Sequence, residues 1–463
     1  MPEALAVTTP ERTIRYDELD RLVTATARRI QALGDEPGTR IGLCLPNTWR
    51  TLVLLLATIR AGRVACPIST RMPPAGVAAL LGTVAASILL TDRREVAGHL
   101  PDTCTVLSPE DVVEEEGGSR EPAPQMVVDQ PATMVFTSGS TGEAKAALHS
   151  IGNHYFSARG SNENIALGPG DRWLLALPLY HVGGLGVVFR CMLAGAAVVV
   201  PASGLAIGEA IQRYGVTHVS LVATQLGRLL AEATIPEGLK AVLVGGSAIP
   251  SSLIQEAHGR GLPIYTTYGL TEAASQVTTT PPDASLDQLG TSGRCLPYRQ
   301  IAVAEDGEIL VKGAVLFQGY VEGATLHRPV DAGGWFHTGD RGRLDAAGFL
   351  QVLGRTDAMF ISGGENIHPE AIEQALCSLD EVQQAVVVPV ADAMFGQRPV
   401  AFVKTASGVR RREALVPRLE AMLPRFKIPV AFYAWPDETP PPGMKIDRVF
   451  FAQLARRIHR AEL

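Results

Sequence analysis

The stretch LLALPLYHVGGLGVVFRCMLAGAAVVV, residues 174–200, decides how the chain folds. A membrane span needs about 20 consecutive apolar residues, and this is the one stretch that could imitate one. Pro178 splits it, His181 and Arg190 would be costly in hydrocarbon, and several glycines interrupt it. The same letters fit a buried strand over 173–177, a turn, a helix over 185–193 and a second strand over 196–200.

Reading outward, the alternation continues on both sides. Upstream, 40–45 reads as a strand, 49–61 as a helix and 87–91 as a strand. Downstream come a helix over 207–214, a strand over 218–222, a helix over 225–233 and a strand over 241–244. Strands alternating with helices imply crossover connections and a mainly parallel sheet. Ligands then bind beyond the carboxyl ends of the strands. After Gly290 the texture changes to short strands with turns such as Ala304-Glu-Asp-Gly307 and Asp345-Ala-Ala-Gly348. A last segment has a helix over 369–379, opened by Pro369, and strands over 384–389 and 400–404. The expected fold is α/β. Residues 1–353 form a large N-terminal domain of mainly parallel sheets flanked by helices, with a β-rich part. Residues 358–463 form a smaller α+β C-terminal domain, with the boundary at 354–357.

Composition narrows the functional classes. At 463 residues the chain exceeds what one hydrophobic core usually supports, and 46% apolar residues suffice for more than one. A net charge of -6 argues against a nucleic-acid-binding surface. The only tight basic cluster, Arg410-Arg-Arg412, is followed by Glu413 and reads as a solvated helix start. Six scattered cysteines without a Cys-x-x-Cys pair argue against a metal site or disulfide framework and for a reducing, cytoplasmic setting. The N-terminus lacks the pattern of a secretion signal. No integral membrane segment is expected. Whether the chain forms a homo-oligomer is left open.

The chemistry-bearing motif is Thr137-Ser-Gly-Ser-Thr-Gly-Glu-Ala-Lys145, just after the apolar run 133–136. Glycines expose backbone amides, and hydroxyls with a lysine are anion ligands. The P-loop pattern Gly-x-x-x-x-Gly-Lys-[Ser/Thr] cannot be aligned to it. On composition alone, a polar turn and a phosphate loop stand equal.

Its spacing resembles the phosphate loop of the adenylate-forming superfamily of acyl-CoA synthetases, luciferases and adenylation domains. That resemblance assigns Thr137, Ser138, Gly139, Ser140, Thr141, Gly142 and Lys145 to the phosphates of ATP. Further matches follow in the family's order over most of the chain. Gly245-Gly246-Ser247 resembles the adenine-side loop. Thr267-Tyr268-Gly269-Leu-Thr271-Glu272 resembles the second signature, its ring near the adenine, its Thr and Glu near phosphate and magnesium. Thr141 and Glu272 would hold Mg2+. Asp340, in Trp335-Phe-His-Thr-Gly-Asp340, matches the aspartate that binds the ribose hydroxyls. Gly354-Arg355-Thr-Asp357 matches the hinge, with Arg355 near the ribose and Asp357 as pivot. Ser362-Gly363-Gly364-Glu-Asn-Ile367 matches the segment whose glycines line the thiol route.

The resemblance implies ATP, Mg2+ and CoA as co-reactants. A carboxylate is a poor electrophile, so it first displaces pyrophosphate from ATP, and magnesium and a lysine offset the charge that builds up. The acyl-adenylate then passes to CoA as a thioester. In the family the C-terminal domain rotates about the hinge between the two steps. The lysine usually follows a glycine in a Pro-rich loop. Here Thr439-Pro-Pro-Pro-Gly-Met-Lys445 inserts a methionine, and Lys445 is taken as the adenylation lysine. No Ser/His/Asp arrangement or Gly-x-Ser-x-Gly elbow competes with this chemistry.

Two stretches narrow the acid. PLYHVGGL (178–185), continuing to Phe189-Arg190, and VPVADAMFGQRP (388–399) resemble the subfamily that ligates o-succinylbenzoate to CoA in menaquinone biosynthesis. His181 in that subfamily lies at the acyl pocket; a packed histidine is the alternative. Arg190 lies in an apolar run, where an unpaired charge is expensive. Either a substrate carboxylate or a structural ion pair satisfies it. Thr271, Ser275 and Thr278 are candidates for the ring side. The rivals are another aryl- or short-acyl-CoA ligase, a carrier-protein adenylation enzyme and a catalytically silent acyl-nucleotide-binding protein; the intact Lys145, Glu272 and Asp340 argue against the last.

Overall fold

The alternation of short apolar runs with helices is realised as two large twisted sheets that share one core. The structure is a computed structural model, which describes residues 2–33, 38–114, 126–138, 144–232, 237–356, 358–362, 365–392, 394–405, 412–436 and 448–462. Among these, nine strands make one sheet and eight make another.

The first sheet runs in parallel from Leu5–Thr8 through Ala197–Val199, Arg172–Leu174, His218–Leu221 and Ala241–Val244 to Ile264–Leu270. Antiparallel strands Ser275–Thr279 and Arg294–Cys295 extend its far edge. The second has the parallel strands Val64–Pro67, Arg40–Cys44, Ile88–Thr91 and Thr105–Leu107 beside Pro131–Ser138. Ala144–Ser150, Gly319–Glu322 and Thr325–His327 continue it antiparallel. A continuous apolar core joins the two sheets, drawing Val7, Trp173 and Val198 from one and Ile41, Leu43 and Ala65 from the other. Leu52, Leu54 and Leu55 of the helix Trp49–Arg60 fill it. Each such side chain contributes about 1.5–3 kcal/mol on burial.

The stretch 174–200 is the strand–helix–strand that its sequence suggests. The helix Val182–Ala194 begins earlier than 185, because His181 after Pro178 already supplies an extended N-cap. It ends at Gly195, whose φ of 70° is the left-handed conformation that closes a helix. Leu185, Val187, Val188 and Cys191 are buried, and so is Arg190. No described helix is long and apolar enough to cross a membrane.

A four-stranded antiparallel sheet of Arg299–Val303, Glu308–Gly313, Phe336–Leu344 and Leu350–Arg355 follows. Both expected turns close by backbone hydrogen bonds, Gly307 to Ala304 at 2.9 Å and Gly348 to Asp345 at 3.0 Å. The last segment is smaller and has cores of its own. The hairpin Val382–Asp392 with Gly396–Thr405 takes up Ala431–Ala434 as a parallel third strand. The helices Pro369–Cys377, Arg412–Glu420 and Arg448–Glu462 belong to the same segment. The architecture is thus a large N-terminal domain with mainly parallel sheets and a smaller α+β C-terminal domain.

Candidate active site

The strands Ala241–Val244 and Ile264–Leu270 lie side by side and deliver two motifs at their carboxyl ends. After the first comes Gly245-Gly246-Ser247. A Cβ at Gly245 would lie 2.5 Å from Thr267 Cγ2 and 2.9 Å from its carbonyl oxygen, and Gly246 has φ +84°. Both positions therefore require glycine. Ser247 is exposed. After the second strand comes the turn Thr271–Ala273, which carries Glu272. Thr267 Oγ1 donates to the Thr278 carbonyl at 2.6 Å, and Gly269 allows the Ser275 backbone to approach.

Three clusters form around these loops. In the first, Tyr268 donates its hydroxyl to Asp340 Oδ2 at 2.6 Å, and Asp340 Oδ1 pairs with Arg355 Nη1 at 3.2 Å. Burial, then the charge of Asp340, holds the Tyr268 phenol well above the usual range. Asp340 and Arg355 face each other on neighbouring strands. In the second, Glu272 Oε1 accepts the Tyr320 hydroxyl at 2.6 Å, and Lys145 Nζ lies 5.1 Å above the Tyr320 ring. Thr137 stands opposite Lys145 in the hairpin, and Ser138 opposite Ala144.

The third cluster lies on the helix Val182–Ala194. Arg190 is 1% exposed, donates from Nη2 to Ser275 Oγ at 2.9 Å, and lies 5.2 Å from the Trp173 ring. Among the described residues its Nε has no acceptor and no carboxylate pairs with it. Burial lowers its pKa to about 10, and the buried Arg299 pushes in the same direction. The side chain stays charged. Gly186 makes room, since a Cβ there would lie 3.1 Å from Arg190 Nη2 and 3.2 Å from Ser275 Oγ. Ala274 and Ser275 adopt φ of 55° and 146°, an uncommon pair for residues other than glycine. That turn aims Ser275 at the guanidinium.

The remaining candidates are placed as follows. His181 is half-buried at the start of the helix, its ring 4.7 Å from Tyr180. Nine residues of helix, roughly 13 Å, separate it from Arg190. Thr278 gives its hydroxyl hydrogen to the Ser292 carbonyl at 2.6 Å. Gly139, Ser140, Thr141, Gly142, Asp357, Gly363, Gly364 and Lys445 lie outside the described residues. Tyr320 is a site residue that sequence reading missed. Its only signal is the strand pairing that sets it opposite Ala147, two residues beyond Lys145.

Carboxylate, phenol and ammonium in a row beside glycine-turned loops, at the carboxyl ends of parallel strands, define a nucleotide-handling enzyme of the adenylate-forming class. Sequence comparison narrows the class. The family model for AMP-binding enzymes matches residues 1–321, and that for the AMP-binding enzyme C-terminal domain matches residues 371–440. The chain belongs to the AMP-binding enzyme family.

Relatives include the 2-succinylbenzoate–CoA ligase of Geobacillus kaustophilus, 34% identical over 462 residues, covering 95% of this chain and 92% of the relative. That of Bacillus cereus is 33% identical over 445 residues, covering 92% and 91%. Among solved structures, Bacillus subtilis o-succinylbenzoate CoA synthetase (MenE) in complex with the acyl-adenylate OSB-AMP superposes with a TM-score of 0.86. It is 30% identical, covering 96% of this chain and 94% of that one. The same enzyme with ATP and a magnesium ion gives a TM-score of 0.85 at 30% identity, covering 95% and 94%.

Proposed function

We propose that the protein is an ATP-dependent acid–CoA ligase that converts 2-succinylbenzoate to 2-succinylbenzoyl-CoA, the ligation step of menaquinone biosynthesis. The relatives at 33–34% identity over more than nine-tenths of the chain support the acid and the ligase chemistry. The observation that carries the choice of acid is Arg190. A buried guanidinium with no carboxylate partner among the described residues suits a substrate with two carboxylates, one to be activated and one to be held. Ser275 completes that contact. Thr278 would act only through the strand it stiffens.

The reaction has two steps. One substrate carboxylate oxygen attacks the α-phosphorus of ATP; the new acyl–oxygen–phosphorus linkage forms as the bond to pyrophosphate breaks. The CoA sulfur then attacks the acyl carbon, its proton is lost, and AMP leaves. Asp340 and Arg355 hold the ribose hydroxyls, while Gly245, Gly246 and Ser247 with Tyr268 flank the adenine. Thr137, Ser138 and Lys145, with Gly139, Ser140, Thr141 and Gly142, take the phosphates, and Thr267, Gly269 and Thr271 shape the second loop. Glu272 Oε2 has no hydrogen-bond partner among the described residues, which suits a hard cation that takes one or two carboxylates plus phosphate oxygens. Glu272 and Thr141 would hold Mg2+, whose charge offsets that of the departing pyrophosphate. His181 borders the acyl entrance.

Residues 1–353 bind ATP and the acid, and residues 358–463 rotate about 354–357, with Asp357 as pivot. The rotation swaps Lys445 at the α-phosphate for the Gly363–Gly364 segment along the thiol path. Such hinges concentrate backbone change in a few residues. The six unpaired cysteines support a reducing, cytoplasmic setting.

Thioester formation with ATP, Mg2+ and CoA, measured over 2-succinylbenzoate, benzoate, coumarate and octanoate, tests the reading. 2-Succinylbenzoate should give the highest kcat/KM. A higher value for any other acid would remove the menaquinone assignment, and adenylation without transfer to free CoA would point to a carrier-protein enzyme instead.

A further inference from the structure

Behind the Glu272 turn lies a histidine pair that the mechanism above does not use. His149 is fully buried on the strand Ala144–Ser150, whose second residue is Lys145. Its Nε2 lies 2.7 Å from the carbonyl oxygen of Thr271. A carbonyl only accepts, so Nε2 carries the proton and the ring is a donor. Burial lowers the pKa to about 4, so the ring is neutral at neutral pH.

The turn that carries Glu272 is thus held at three points. His149 holds the carbonyl before it, the Phe317 N–H bonds the Glu272 carbonyl at 2.8 Å, and Tyr320 holds Oε1 at 2.6 Å. The same aromatic layer links these points. The Phe317 ring lies 6.4 Å from His149 and packs edge-on against Tyr320 at 4.8 Å. His154 supports His149 from behind, 5.2 Å away. Its Nε2 is 2.7 Å from Thr133 Oγ1, and its ring stacks 4.2 Å from Phe189, the neighbour of Arg190. A turn of three residues has no stiffness of its own; its hydrogen-bond partners decide where its side chain points.

We propose that His149 is a positioning residue for Glu272, acting through the Thr271 carbonyl, with Tyr320 as the opposite jaw of the same clamp. His149 touches no substrate. It fixes the carboxylate that meets phosphate and Mg2+, so its removal impairs the first half-reaction and leaves the second intact. The proposal rests on Glu272 acting in adenylation.

The test uses the full-length enzyme with His149→Leu, which keeps the volume roughly and removes the donor, and His149→Gln, which restores an N–H near the Nε2 position. Tyr320→Phe loosens the other jaw at a half-buried site that tolerates it. Loss of one hydrogen bond in the site corresponds to about a tenfold effect. His149→Leu and Tyr320→Phe should each weaken Mg2+-ATP binding, read by calorimetry, and slow adenylate formation by about tenfold. Conversion of supplied acyl-adenylate to thioester should stay within about twofold, and His149→Gln should recover most of the binding. Equal loss in both half-reactions without rescue by Gln, or unchanged Mg2+-ATP binding in both Leu and Phe variants, would overturn the clamp. Glu272→Gln separates the two ideas. If it leaves adenylation intact, the role given to Glu272 fails; if it impairs adenylation while the clamp variants do not, only the clamp fails.

Discussion

Two parts of the molecule take arginine out of full solvent, Arg448 half-buried and Arg190 fully buried, and treat it in opposite ways. In the C-terminal domain, Arg448 is bidentate to Glu373 at 2.6 and 2.7 Å and reaches Glu370 at 3.0 Å. Two carboxylates there meet one guanidinium. Burial raises the pKa of Glu370 while Arg448 opposes the rise, and Glu370 Oε2 packs where a Cβ on Gly354 would lie, 2.5 Å away. Around the helix Val182–Ala194 of the N-terminal domain the balance is reversed. Arg190 has a serine and an indole ring for company. Arg299 bonds the carbonyls of Pro297, Gln276, Phe156 and Ser157, and burial lowers its pKa to about 10. Two buried cations and no paired carboxylate among the described residues make a site short of an anion. The difference separates a charge completed by carboxylates of its own domain from one that meets none among the described residues.

That contrast can be attacked from several directions. The largest effect belongs to Lys445, three positions before Arg448. Lys445→Ala should slow adenylate formation by roughly 10²–10³-fold, the usual cost of removing a transition-state donor, while supplied acyl-adenylate still becomes thioester. Rapid-quench assay of each half-reaction reads this, and equal losses would remove the alternation model. Arg448→Leu leaves two carboxylates without their cation and should destabilise the protein by about 2–4 kcal/mol in urea unfolding.

Acid acts on the N-terminal domain through buried histidines, His154 and His218 as well as His149, and the part that belongs to His149 can be isolated. Its folded pKa of about 4 lies below the ordinary 6.5, so between those values the unfolded chain binds the proton and the folded one does not. Stability should therefore fall as pH drops from about 6.5 towards 4, by at most about 3 kcal/mol. Unfolding midpoints at pH 7 and pH 5 should differ less in His149→Gln than in the natural protein. The smallest expected effect is the most telling for the comparison. Arg190→Leu should change stability by less than about 1 kcal/mol, because no ion pair is broken. A loss as large as that of Arg448→Leu would mean that Arg190 is structural after all.

Sequence carried much of this, unevenly. The strand Ala241–Val244 and the helix Ile207–Tyr214 have the expected bounds, since both are short apolar or amphipathic runs bounded by turns. The helix expected over 225–233 spans Ala223–Leu230, because Gln225 caps the turn from within rather than starting it. Pairings across the chain were less legible. Glu272 and Lys145 stand in recognisable motifs, but their partner Tyr320 sits in a plain hairpin strand brought in by sheet register. No motif marks His149, one of ten histidines in the chain, and its contact with Thr271 exists only once the two sheets are packed together. Arg190 was legible as an expensive charge; that it meets Ser275, and no carboxylate among the described residues, depends on the left-handed turn at Ala274.

In the proposed reaction, Arg190 waits for the second carboxylate of the acid. The most direct measurement is kcat/KM for 2-succinylbenzoate and for the analogue lacking the ring carboxylate, in the natural protein and in Arg190→Ala. The expected result is a loss of roughly 2–5 kcal/mol in transition-state binding with 2-succinylbenzoate, a much smaller loss with the analogue, and unchanged ATP binding. Equal losses with both acids would contradict it.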